Sequence, residues 1–66
     1  MVIMLNGKEE TLENAMTIHV LLEKKALKPE TVVVEVNLEI IDRARFRETE
    51  IRDKDVVEIL RFVGGG

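Results

Sequence analysis

The residues with most chemical promise in this 66-residue chain are its plainest: Gly64-Gly65-Gly66, reached directly from the apolar run Val56-Val57-Glu58-Ile59-Leu60-Arg61-Phe62-Val63. With glycine at roughly 7% of average composition, three at the end of a chain arise by chance in only about 3 chains in 10,000. One explanation is an end left by trimming or a cloning scar. The other is a thin arm that carries a terminal carboxylate into another protein's active site. No Ser-rich or tag-like spacer separates the glycines from the strand-like run, which keeps the second explanation open. Without a Cβ, such an arm can pass a narrow channel, and three residues reach roughly 10 Å. An α-carboxyl, with an ordinary pKa of about 3.3–3.7, is ionised at neutral pH and can attack the α-phosphate of ATP held on an activating enzyme. Direct attack on a carboxylate would have to expel oxide or hydroxide. The acyl-adenylate expels AMP instead, which opens the carbonyl to sulfur or an amine.

The rest of the chain supplies little competing chemistry. Cysteine is absent, so there is no disulfide framework, thiolate metal site or nucleophilic thiol, and any sulfur carried must sit on the backbone terminus. His19 is the single histidine and has no partner ligand; it reads as a surface residue, not a metal ligand. Glu9 with Glu10, and Asp53 with Asp55, lie on a strand edge and in a turn, where solvated charge is the simpler role. Arg43, Arg45 and Arg47 alternate around Ala44 and Phe46. They form a small basic patch if that segment is extended, or an exposed polar loop with Phe46 tucked into the core. No catalytic residue and no metal site emerge.

Size and charge narrow the class further. A chain of 66 residues makes one domain that buries only about 60% of its unfolded surface, too little for a cleft. With only two aromatic residues, Phe46 and Phe62, its core must be aliphatic. A net charge of -3 argues against nucleic acid, whose binding rests on Lys and Arg neutralising phosphates, and points to basic protein surfaces. Met1 to Leu5 is far too short for a signal peptide or a membrane span, so a cytoplasmic protein with no membrane partner is expected.

The elements that must position the tail follow from pattern. Val2 to Leu5 and Lys8 to Leu12 flank Asn6-Gly7, a strong hairpin signal, with Ile3 and Leu5 facing inward and Met4 outward. After a turn at residues 13–16, Thr17 caps a helix whose Ile18, Leu21 and Leu22 make one stripe, and Leu27-Lys28-Pro29 stops it. Thr31 to Val36 and Glu39 to Ile41 form a second hairpin around Asn37-Leu38. A polar stretch, 42–50, and the turn Arg52-Asp53-Lys54-Asp55 lead to a last strand, Val56 to Phe62. Alternation there buries Val57 and Ile59 and leaves Leu60 and Phe62 outside beside the tail, as an interface or as packing under a loop. Two hairpins on one sheet with one helix across it predict an α+β β-grasp (ubiquitin-like) domain over residues 1–63, a mixed sheet of four to five strands, and a flexible glycine tail, 64–66.

The hairpin on Asn6-Gly7, Thr17 leading Ile18 to Leu22, Val36-Asn37 before Ile40, and above all Asp53 to Gly66 together resemble the ThiS family, the sulfur carriers of thiamine biosynthesis. The resemblance covers essentially the whole chain. It implies that the protein is a co-substrate and not an enzyme, with the functional pair Gly65 and Gly66, Gly64 as spacer, and Leu60, Phe62 and Val63 as partner surface. A ThiF-like enzyme, using ATP and Mg²⁺ that this chain does not itself bind, would adenylate Gly66. A cysteine desulfurase route would supply sulfur for a thiocarboxylate, and a thiazole synthase would accept it. The MoaD-like subunit of molybdopterin synthase and a ubiquitin-like modifier attacked by lysine amines are the neighbouring alternatives. Asn14-Ala15, Lys54 and Val20 depart from the usual pattern, the last on the exposed side of the helix.

Overall fold

The computed structural model describes residues 1–62. Seven strands and one helix occur in the order β1 (Val2–Leu5), β2 (Lys8–Thr11), β3 (Met16–Thr17), α1 (Ile18–Lys24), β4 (Val32–Val36), β5 (Glu39–Ile41), β6 (Glu50–Ile51) and β7 (Val56–Arg61). Single 3₁₀ turns cover Pro29–Thr31 and Arg43–Arg45. Five strands make one mixed sheet in the order β2-β1-β7-β4-β5. The last strand is thus central: parallel to β1, with Met4 beside Val56, and antiparallel to β4, with Val34 beside Ile59. Each hairpin is antiparallel, and α1 covers one face of the sheet, the β-grasp arrangement that the order of elements predicts.

Both hairpins turn through the left-handed region. Asn6 and Gly7 have φ of 50° and 82°, and Asn37 and Leu38 have 52° and 70°. Asparagine and glycine accept such angles readily; a leucine does so only under strain. Period-2 alternation then sorts the side chains. Ile3, Val32, Val34, Val57 and Ile59 are buried with Ile18, Leu21 and Leu22 of α1, while Val2 and Met4 are exposed, as the sequence pattern predicts.

Thr17 caps α1 as expected, its hydroxyl accepting from Val20 N at 3.2 Å. The end of α1 differs from expectation. The helix stops at Lys24, well before Pro29, because the chain turns left-handed at Ala26 (φ 57°). Ala26 N donates to Glu23 O at 3.0 Å and Leu27 N to Leu22 O at 2.9 Å, the paired bonds of a Schellman cap.

The polar stretch after β5 is also more structured than its composition implies. Glu50–Ile51 pairs antiparallel with Met16–Thr17, Met16 opposite Ile51, making a second, two-stranded sheet from residues expected to be turn and loop. Ile51 is buried with Phe46, so the segment packs as part of the core. It also satisfies the helix start: Ile18 N donates to Thr49 O and His19 N to Phe46 O, both at 3.0 Å. Arg43 does not join a basic patch. It lies in a 3₁₀ turn and its guanidinium donates to Pro29 O at 3.1 Å and Glu30 O at 3.4 Å, tying that turn to the chain before β4.

Candidate functional site

The face of the sheet opposite α1 carries the side chains of β7 that alternate away from the core. Leu60 is 63% exposed and Phe62 60%. Leu60 stands directly opposite Val33 of β4, and Glu58 opposite Glu35, whose other neighbour across the sheet is Ile40 of β5. Ile40 is 67% exposed. Three adjacent strands thus present Leu60, Val33 and Ile40 on one face, beside two carboxylates, with Phe62 directly after β7, and no loop of the described residues covers Leu60 or Phe62. The sequence pattern singles out Leu60 and Phe62. It passes over Ile40 and Val33 because a β-branched residue in a short hairpin strand reads as core until the register shows which face it occupies.

The position of this face relative to the chain end follows from the direction of β7. That strand runs from Val56 beside Met4 to Arg61 beside Val32, and Phe62 N then donates to Thr31 O at 2.9 Å. β7 is therefore held against β4 up to the last residue described. The expectations for Val63, Gly64, Gly65 and Gly66 lie outside the described residues.

Elsewhere the described residues offer no assembled chemistry. The concave places, beside Leu12, Val20 and Lys24, beside Val2 and Asp53, and beside Val32 and Phe46, are open to solvent and bring no nucleophile to a base. His19 is less exposed than a surface histidine, with 19% of its side chain accessible, and its Nε2 lies 3.7 Å from Glu23 Oε2. No group of three His, Cys, Asp or Glu among the described residues is placed to hold a metal ion. Glu10 is engaged by Lys25 Nζ at 2.7 Å. Asp53 accepts from Val2 N at 2.7 Å, and Asp55 accepts from Arg52 N and from the Asn37 carboxamide, so both carboxylates hold turns in place. No helix among the described residues is long and apolar enough to cross a membrane.

The described residues thus form a ubiquitin-like β-grasp domain whose central strand β7 precedes the glycines in sequence and whose open sheet face gathers apolar side chains. Comparison with known proteins names the group: the chain belongs to the ThiS family, whose sequence profile matches residues 3–66. It is 46% identical over 63 residues to the sulfur carrier protein ThiS of Bacillus subtilis, a match covering 94% of this chain and 96% of that one. A crystal structure of the thiamine biosynthesis protein ThiS from Geobacter metallireducens superposes with a TM-score of 0.85 at 38% identity, over 100% of both chains. A thiazole synthase of Paramagnetospirillum magneticum is 35% identical over 66 residues, all of this chain and 20% of that longer protein.

Proposed function

We propose that this chain is the sulfur carrier of thiazole formation in thiamine biosynthesis, with the carboxylate of Gly66 as its working group. The observation that carries the reading is near full-length similarity to a named sulfur carrier, joined to matches within proteins named thiazole synthase. The second part supports the thiazole branch over molybdopterin chemistry. A carrier-sized segment forms a fifth of those synthases, as expected if carrier and synthase work together and gain effective concentration from being joined.

In this reading residues 1–63 are the handle and residues 64–66 the arm. A ThiF-like enzyme binds ATP and Mg²⁺. A Gly66 carboxylate oxygen forms a bond to the α-phosphorus, and pyrophosphate leaves. The terminal sulfur of a persulfide from a cysteine desulfurase route attacks the acyl carbon, the bond to the phosphate oxygen breaks and AMP departs; a thiol then cleaves the S–S bond of the resulting acyl disulfide, leaving the thiocarboxylate and a disulfide. A thiazole synthase takes up that sulfur. Leu60, Phe62 and Val63, extended by Val33 and Ile40, form the surface the partners grip, with Gly65 and Gly66 inserted and Gly64 as spacer. The cycle draws on ATP, in keeping with a cytoplasmic setting.

Intact mass after incubation with ATP, Mg²⁺, the activating enzyme of the same source and a sulfur donor tests the reading. One oxygen exchanged for sulfur, lost on deletion of Gly66, is the expected result. An unchanged mass with a cognate enzyme shown to be active refutes it.

A further inference from the structure

The two hairpin asparagines share a geometry that their role in turning the chain does not require. Asn6 and Asn37 both sit at left-handed angles, where the chain turns out of its strand. In each case the carboxamide takes over the missing bond. On the β1 side Asn6 N donates to Val57 O at 2.9 Å, as in a parallel ladder. The next rung, Ile59 N, is accepted at 2.7 Å by Asn6 Oδ1 in place of the main-chain oxygen, and Asn6 Nδ2 returns a bond of 3.3 Å to Ile59 O. On the β4 side Asn37 N donates to Val56 O at 2.7 Å, and Val56 N donates to Asn37 Oδ1 at 2.9 Å. Each side chain acts as one extra peptide unit of a strand that has already turned away. Asparagine suits both jobs: it tolerates a positive φ and carries an amide of peptide geometry.

The two substitutions for backbone act at different places on β7. Asn37 holds the first residue of the strand, far from the glycine end. Asn6 holds Ile59, beyond Leu5 and Val57, the last pair of the β1–β7 ladder. Past that point the main-chain pairing of β7 is with β4, through Leu60 and Arg61, and with Thr31 at Phe62. The carboxamide of Asn6 is therefore the β1-side fixing nearest the chain end. It fixes Ile59, the residue just before Leu60, from the β1 side.

We infer that Asn6 is a positioning residue for the chemistry at the C-terminus: it holds Ile59 from the β1 side, in the strand that precedes the terminal glycines in sequence, while Asn37 serves the fold alone. The inference rests on the reading of Gly66 as the adenylated terminus. An enzyme that clasps the sheet face and must find a carboxylate several residues further on depends on how β7 is held, and a displacement of about 1 Å can cost up to roughly a hundredfold in rate.

Asn6→Gly and Asn37→Gly each keep a residue that accepts positive φ and delete one carboxamide, so they make a matched pair. Asn6→Asp restores the Oδ acceptor. Steady-state pyrophosphate release with ATP, Mg²⁺ and the activating enzyme, at a temperature where thermal melts show every variant folded, separates kcat from the KM for the carrier. Asn6→Gly is expected to lower kcat roughly tenfold with KM changed by less than about twofold, Asn6→Asp to recover most of the loss, and Asn37→Gly to leave kcat within about twofold. Equal kcat for the two glycine variants, or a loss that follows melting temperature alone, overturns the positioning role and leaves the carrier reading intact. A wild-type chain that draws no pyrophosphate release overturns both.

Discussion

Replacing Ala26 by glycine should make this protein more stable, which is uncommon for a glycine introduced at a helix end already bonded. Ala26 is exposed and has φ 57°, in the turn where α1 ends and Leu27 N closes onto Leu22 O at 2.9 Å. That conformation costs a residue with a Cβ about 1–2 kcal/mol. Glycine in turn loses about 0.5–1 kcal/mol more backbone entropy than alanine on folding. The difference favours Ala26→Gly by about 0.5–1 kcal/mol, and the only group removed is an exposed methyl. For 66 residues, an unfolding entropy of about 2.1 cal/mol/K per residue turns this into a Tm higher by roughly 4–7 °C. Thermal unfolding followed by circular dichroism measures it. Leu38→Gly provides an independent check at another strained turn, where φ is 70° and the residue is 88% exposed, and should shift Tm in the same direction. A fall in Tm for Ala26→Gly with the two-state transition preserved would refute the strain argument, because it would mean that the left-handed turn costs alanine less than the entropy glycine adds.

Other substitutions separate the fold from the proposed partner face. Ile51→Ala, at a fully buried position of β6, should cost about 2–5 kcal/mol in urea unfolding, and a smaller loss would mean that the 42–51 segment packs only loosely. Leu60→Asp and Phe62→Asp change side chains that are already mostly exposed, so Tm should stay nearly unchanged while the KM of the carrier for its activating enzyme rises roughly tenfold or more. A KM at the wild-type value for both would remove this face from the partner surface.

The parts of the fold that are legible in the sequence are those written in local chemistry. Asn6-Gly7 states a hairpin, Thr17 a cap, and the alternation of Val57, Ile59 and Leu60 states which face is which, because each depends on residues close in the chain. The pairing of Met16–Thr17 with Glu50–Ile51 is not legible: two-residue strands have no period to detect, and their partners are brought together by the whole fold. Proline at 29 suggests the helix stop, yet the chain turns first at Ala26, where alanine gives no sign of a left-handed angle. The outer face is half legible. Leu60 and Phe62 follow from alternation next to the glycines, whereas Ile40 and Val33 join them only through cross-strand register. The second role of Asn6 is hidden behind its first, since Asn-Gly already has a sufficient explanation as a turn.

The central place of β7 has a consequence for how such a chain comes into being. Its last strand in sequence is the one that joins the two hairpins into a single sheet, and the bond from Ile59 N to Asn6 spans 53 residues. Bonds between such distant residues must wait for the chain between them to be ordered or complete, and they dominate folding time in small mixed domains. On the ribosome, neither hairpin can find its common neighbour until β7 has emerged. The face bearing Leu60 and Phe62 comes into existence in the same event. A partner that reads that face would thereby bind only folded domains, so the topology itself would screen out unfolded chains.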